Sequence, residues 1–459
     1  MSLEPSSLRI QDPGIRVLFT QDSRWQSWLD VEVALARAQA GLGMIPASSA
    51  ETIADHAKLE LLDRDAIDEG LRRTAHPLVP LVWELARVCG DEAGGHVHWG
   101  ATTQNILETG DSLLLKSAHQ IFLRQLARLL EGLAGVAERG AEMPAAGRTH
   151  GQHAVPVTFG YKVAVWIDEL LRHVERLREL EGRAFVALLG GAAGTMASFG
   201  DQGFELQRLF AERLDLTPAT VPSRTHRDRE AEYVTTLAML AATGGKIGNE
   251  MYTLMKQEFA EASEPVPPGT VGSSTMPQKR NPILAQDIVA GSAQIRALVP
   301  LALEAMMTEH EANRATTVMM RATTGPACVQ VGDMLERLIE IAEGMTLDAA
   351  RMRDNLELTG GMILSEAIML ELGQQFGRQV AHDLVYDAVE RVRVGECTFA
   401  EALAADKQIR SQLDDAAVVR LLEPAEYTGL CAHMAFERAG EARTVAAQLR
   451  QTTIGGSER

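Results

Sequence analysis

From about residue 112 the apolar positions step by three and four. Leu115, Ala118, Phe122, Leu126, Leu129, Leu133 and Val136 form one series, and Val163, Ile167, Leu170, Val174 and Leu177 a second. Leu237, Leu240, Gly244, Ile247, Met251 and Leu254 form a third. An α-helix turns every 3.6 residues, so each series marks one face of a long helix. Alternating steps in several segments predict helices packed nearly antiparallel, with left-handed crossing, in a bundle. Residues 284–306 and 330–345 read as two more bundle helices, with Pro300 kinking the first. Gly244-Gly245 weakens its helix by about 1 kcal/mol per glycine. Two readings stay open there: a tolerated defect, or a point where a neighbouring helix comes very close.

The flanks are patterned differently. Residues 24–43 are rich in helix formers and end at a glycine, but up to about residue 110 the pieces stay short, broken by His76-Pro77 and Gly94-Gly95. This predicts a small N-terminal helical domain over residues 1–110 and a central bundle over 111–355. After Gly360-Gly361 the segments shorten again, through Ser365 to Leu372, Arg378 to Val392 and Asp415 to Leu422, which predicts a C-terminal helical domain over 356–459. No alternating strand pattern of useful length appears, so the expected class is all-α.

The chain carries 62 acidic against 44 basic residues, a net charge of −18, which argues against nucleic acid or an anionic membrane as a partner. An anionic substrate then needs locally basic sites, so the few basic residues in loops become informative. No stretch approaches a membrane span, and the N-terminal Met-Ser-Leu-Glu-Pro has neither a basic start nor an apolar run, so the expectation is a cytoplasmic protein. Four scattered cysteines without Cys-x-x-Cys spacing read as reduced, mostly structural thiols.

Three loop stretches hold polar groups that a packed bundle does not need. His96-Val-His-Trp-Gly-Ala-Thr-Thr-Gln-Asn105 precedes a long helix, where Thr102 and Thr103 either cap that helix or bind a carboxylate at its N-terminus. Gly147-Arg-Thr-His-Gly-Gln-His-Ala-Val-Pro-Val-Thr-Phe-Gly160 places His150 among Arg, Thr and Gln, which suits acid/base work. Its two histidines, three residues apart, lack a Cys or carboxylate at ligand spacing, so no metal site is expected. The third stretch, residues 265–282, forbids regular structure with its prolines and glycines, and gathers hydroxyls with Lys279, Arg280 and Asn281.

The order Thr-Thr-Gln-Asn, then Gly-Arg-Thr-His, then Gly-Ser-Ser-Thr-Met-Pro-Gln-Lys-Arg-Asn resembles the three signature regions of the fumarase/aspartase superfamily. The last matches the family loop Gly-Ser-x-x-Met-Pro-x-Lys-x-Asn at every fixed position. Trp28-Leu-Asp-Val-Glu, Gly151-Gln-His-Ala, Arg227-Asp-Arg229 and Asn355-Leu-Glu-Leu-Thr-Gly-Gly361 resemble the branch holding adenylosuccinate lyase and 3-carboxy-cis,cis-muconate cycloisomerase. The resemblance implies a homotetramer with a central twenty-helix bundle, each active site built from three chains, and no cofactor.

It implies roles as well. Ser273 matches the base that takes a proton from the carbon next to a carboxylate, and His150 the acid that protonates the departing group. Lys279 and Asn281 match carboxylate binders, with Thr102, Thr103 and Thr149 as hydroxyl partners; Gln152 joins the substrate-binding set. The activity implied is β-elimination, cleaving a C–N or C–O bond in a substituted succinate, a small dicarboxylate or tricarboxylate, with release of fumarate or an analogue. The alternatives are lactonisation of a carboxymuconate, and a non-catalytic protein that keeps the fold as lens crystallins do.

Departures narrow the substrate. The stretch Asp12-Pro-Gly-Ile-Arg-Val lacks the Arg-Tyr pair used near a nucleotide phosphate, which argues against a nucleotide. His150 stands where bacterial cycloisomerases carry Trp, and Thr317-Val-Met-Met-Arg-Ala replaces their Trp-His-x-Glu-Trp, which argues against muconate. Glu309-His310-Glu311 with Arg314 and Arg321 is either a solvated helix face or a set from which His310, Arg314 or Arg321 reaches the variable end of the substrate.

Overall fold

A computed structural model describes residues 9–266, 269 and 273–454. Residues 267–268 and 270–272, Gly272 of the signature loop among them, lie outside the described residues, as does the N-terminal Met-Ser-Leu-Glu-Pro. The class is all-α. The long helices are α1 (Thr103–Arg139), α2 (Phe159–Ala184), α3 (Asp228–Leu254), α4 (Ile283–Ala297) and α5 (Arg314–Gly344). Every non-glycine residue in the three apolar series above is buried, from Leu115 at 3% exposure to Phe122, Ile167 and Met251 at 0%.

The chain divides into two compact units, one of residues 1–124, 173–242 and 290–336, the other of 125–172, 243–289 and 337–459. Each long helix begins in one unit and ends in the other. In the first unit helix Gln21–Gly41, capped by Thr20, buries Trp25 and Trp28. Within the same unit His119 of α1 meets Glu181 of α2 at 3.0 Å, and Ser292 of α4 donates to the Ala241 carbonyl of α3 at 2.5 Å.

In the second unit Thr243 of α3 donates to Glu169 of α2 at 2.9 Å, and Lys162 of α2 pairs with Glu250 of α3 at 3.0 Å. A close helix approach is found at Gly248, where a Cβ would stand 2.8 Å from Ile288 of α4.

Four features differ from the sequence reading. Pro300 does not kink one helix: α4 stops at Ala297 and a separate helix, Val299–Glu304, takes Pro300 into its first turn. A residue without an N–H and with φ already fixed suits that position. α5 starts at Arg314 and runs through Pro326, so it is much longer than 330–345.

The third difference is a β-hairpin. β1 (Pro144–Thr149) pairs antiparallel with β2 (Gln152–Thr158), with a register shift between Ala146 and Arg148. Gly147 sits at that shift, where a Cβ would lie 2.5 Å from the Val155 carbonyl. A smaller pair, β3 (Ala262–Ser263) with β4 (Thr346–Leu347), precedes α6 (Ala349–Glu357).

The C-terminal segments build their own core from Ile368, Leu372, Val385, Phe399, Leu403 and Ile409. The described chain ends in α7 (Cys431–Ile454), much longer than the short pieces expected. Arg443 of α7 forks onto Glu138 of α1 and also reaches Glu131, which Arg450 joins at 3.2 Å.

Candidate active site

The residues singled out from sequence fall into three groups, one in the first unit and two in the second. In the first unit Thr102 and Thr103 are half-buried at the start of α1, and Arg314 is the exposed first residue of α5. Asn105, wholly buried, organises this corner: its Oδ1 accepts from the Thr102 and Gly191 peptide N–H groups, at 3.1 Å each. Its Nδ2 is buried and has no hydrogen-bond partner among the described residues.

Thr103 Oγ1 lies 3.3 Å from His76 Nε2. The other ring nitrogen of His76 faces the N–H groups of Leu78 and Val79 at 3.3 Å, so it accepts, and the proton sits on Nε2 and points at Thr103. Burial, then the charges of Arg314 and His98, lower the His76 pKa, so a neutral imidazole and the Arg314 guanidinium stand near each other. His76 was not among the site residues read from sequence. Its partner is 27 positions away, and its only sequence signal was a break before Pro77.

Beneath this corner lies a buried ionic network. Gln104 accepts from Arg224 Nε at 2.8 Å and donates to Glu108, and Arg227 donates to Glu108 at 2.6 Å and to Thr317 at 2.8 Å. Burial pushes the Glu108 carboxyl up to about 7, against the pull of Arg227. Beside it Arg321 pairs with Asp111 at 3.0 Å and lies over the Trp28 ring, so Arg321 is engaged within the fold. His98 contacts Glu32 at 2.6 Å; burial alone lowers its pKa, but Glu32 outweighs that and raises it.

In the second unit Thr149, His150 and Gln152 are exposed at the hairpin tip. The turn has only two central residues, His150 at φ 53° and Gly151 at φ 75°. Positive φ at both is the geometry of a type I′ turn, which favours Asn-Gly. A histidine there carries backbone strain of about 1–3 kcal/mol, the kind that persists where function requires it.

The remaining group is the loop. Ser273 is half-buried, Lys279 exposed and Asn281 half-buried. Two peptide N–H groups, of Met276 at 3.0 Å and Thr275 at 3.4 Å, point at Ser273 Oγ. Glu264, buried just before the loop, accepts from the N–H groups of Leu284 and Ala285 at 3.1 Å each, capping α4 just after it. One carboxylate therefore ties the two ends of the loop. Among the described residues no group of three or more His, Cys, Asp or Glu is placed to hold a metal, and no helix is long and apolar enough to cross a membrane.

Comparison with known proteins shows the family. The family model described as Lyase matches residues 8–297, and that described as Adenylosuccinate lyase C-terminus matches 361–438. The chain is 40% identical to an N-acetyl-S-(2-succino)cysteine lyase of Enterococcus italicus, over 91% of this chain and 92% of that one. It is 38% identical to a 3-carboxy-cis,cis-muconate cycloisomerase of Pseudomonas aeruginosa, over 90% and 91%. The crystal structure of the 3-carboxy-cis,cis-muconate lactonizing enzyme from Pseudomonas putida superposes with a TM-score of 0.89 at 34% identity, covering 96% of this chain and all of that one. With the three signature stretches, these likenesses make the chain an enzyme of the fumarase/aspartase superfamily, in the branch that holds adenylosuccinate lyase and 3-carboxy-cis,cis-muconate cycloisomerase.

Proposed function

We propose that the enzyme cleaves a 2-substituted succinate by β-elimination and releases fumarate, with Ser273 as base and His150 as acid. The observation that carries the reading is the pair of peptide N–H groups aimed at Ser273 Oγ. A serine hydroxyl is a poor base at neutral pH, and donors to its oxygen favour the alkoxide over the alcohol. Ser273 takes the proton from the carbon next to one carboxylate, and the charge spreads into that carboxylate as a dianion. Thr102, Thr103, Thr149, Gln152, Lys279 and Asn281 bind the substrate carboxylates, most strongly when that charge develops. The electron pair then forms the double bond and expels the leaving group, which takes a proton from His150.

Arg314 binds the far end of the substrate. A guanidinium in the first turn of a helix gains nothing from the helix dipole, so its place at the start of α5 beside His76 favours ligand binding over a stabilising role. The relative at 40% identity widens the choice of leaving atom from nitrogen and oxygen to sulfur. A thiol has a pKa of about 8.5, so at neutral pH a departing thiolate still takes up a proton.

The same reading places the enzyme in the cytoplasm as a homotetramer with three chains at each site. Exposed Met239, Leu303, Met306 and Met307 in the first unit supply an apolar face for a second copy. The functional test is ultraviolet detection of fumarate during incubation with N-, O- and S-substituted succinates, N-acetyl-S-(2-succino)cysteine among them, alongside 3-carboxymuconate followed at its own band. Fumarate release supports the reading. Loss of the muconate band without fumarate favours lactonisation instead, the second reading, for which the likeness to the Pseudomonas enzymes speaks.

A further inference from the structure

We propose that Glu261 is a positioning residue that fixes where the His150 imidazole stands. The inference rests on the reading of His150 as proton donor. Arg148 lies two residues before His150, at the end of β1, and faces His153 across the hairpin. Its guanidinium forks onto Glu261, Nη1 to Oε2 at 3.1 Å and Nη2 to Oε1. Glu261 is completely buried, and its Oε1 also accepts from Asn355 Nδ2 at 2.7 Å. Asn355, itself buried on α6, donates to the Phe259 carbonyl at 2.8 Å, and the Phe259 ring lies 4.9 Å from the Arg148 guanidinium.

The Glu261 carboxylate is therefore held by two side chains. Rotation of its carboxylate breaks both arms of the Arg148 fork and the hydrogen bond from the buried Asn355 amide at once. Arg148 in turn has one planar fork to satisfy, so its backbone is held in a single register. Only Thr149 separates that backbone from His150, and the two-residue turn allows little slack. The fixed point thus passes from Glu261 through Arg148 to the hairpin tip.

The same segment also anchors the loop of the proposed base. Three residues after Glu261, Glu264 caps α4 and ties the ends of the Ser273 loop. Residues 261–264 carry two buried carboxylates, one anchoring the hairpin of the acid and the other the loop of the base. Neither glutamate belongs to the stretches singled out in the sequence.

The test compares N-acetyl-S-(2-succino)cysteine with 2-chlorosuccinate, whose chloride leaves without a proton. Glu261→Gln is expected to lower kcat on the thioether about tenfold, as misplacement of a reacting group does, and to leave the chloride substrate within error. In a His150→Asn background the same change is expected to add no further loss, because the group it positions is gone. Arg148→Lys, which keeps the charge but loses the fork, is expected to follow the same pattern and serves if Glu261→Gln does not fold. Equal losses on both substrates, or losses that multiply in the double variant, would show a general structural role and overturn the inference. If His150→Asn slows the thioether but Glu261→Gln does not, the inference alone fails. If His150→Asn changes neither substrate, the proton-donor reading fails, and the inference with it.

Discussion

The start of α1 and the Ser273 loop are both rich in hydroxyls and amides, yet they spend them differently. At the start of α1 the polar atoms are consumed inward: Asn105 holds two peptide N–H groups, and Gln104 is locked between Arg224 and Glu108. In the loop Glu264 secures the two ends, and among the described residues between them Ser274 to Arg280 are exposed. In the proposed reaction the threonines at the helix start need a rigid setting to bind a carboxylate, whereas the base in the loop must approach its proton. Similar composition thus serves a fixed wall in one place and a working surface in the other.

The largest effect expected from this contrast is at the loop. Ser273→Ala should lower kcat on the order of 10⁴-fold while leaving the melting temperature unchanged. A fall in melting temperature alongside the activity would show that the loop is structural like the helix start. Asn105→Ala should do the opposite: two peptide N–H groups lose their acceptor, at a cost of about 4 kcal/mol of stability by denaturant unfolding. An unchanged midpoint would break the comparison from the other side.

Glu108 sharpens it through pH. Its carboxyl stands at about 7 in the folded protein against an ordinary value of 4.5, so the folded state holds a proton that the unfolded state has released. The contribution of this group is present below about pH 4.5 and is lost as pH rises through 7, on the order of 3 kcal/mol in all. Glu108→Gln should remove that slope from melting temperatures measured between pH 5 and 8; a slope that persists would place its origin elsewhere. The smallest effect is at the loop's exposed end. Lys279→Met should raise KM about tenfold, or about 1.4 kcal/mol, with little change in stability, as a solvent-facing carboxylate binder requires.

The long helices were legible because their apolar residues are large and periodic, so each repeats its own evidence. α7 was not, because its buried face is built from Ala435, Ala439, Ala442, Ala446 and Leu449. Alanine is as common on exposed helix faces as on buried ones, and its stripe does not stand out. The hairpin was hidden for another reason: Gly147 and Pro156 break the alternation that marks a strand, and its pairing is set by the turn and by the shift at Gly147. Candidate site residues could be nominated where one continuous stretch holds them, as it holds Ser273, Lys279 and Asn281. His76, Glu261 and Glu264 act through partners distant in sequence, and only the fold brings those partners to them.

The turn at His150 carries a practical warning for anyone who would engineer this enzyme. At a position that prefers Asn or Gly, replacing the imidazole relaxes the backbone and makes a better hairpin. A campaign that ranks variants by melting temperature or soluble yield would accept that substitution early, and would then carry forward a hardier scaffold from which the proposed acid had been selected away.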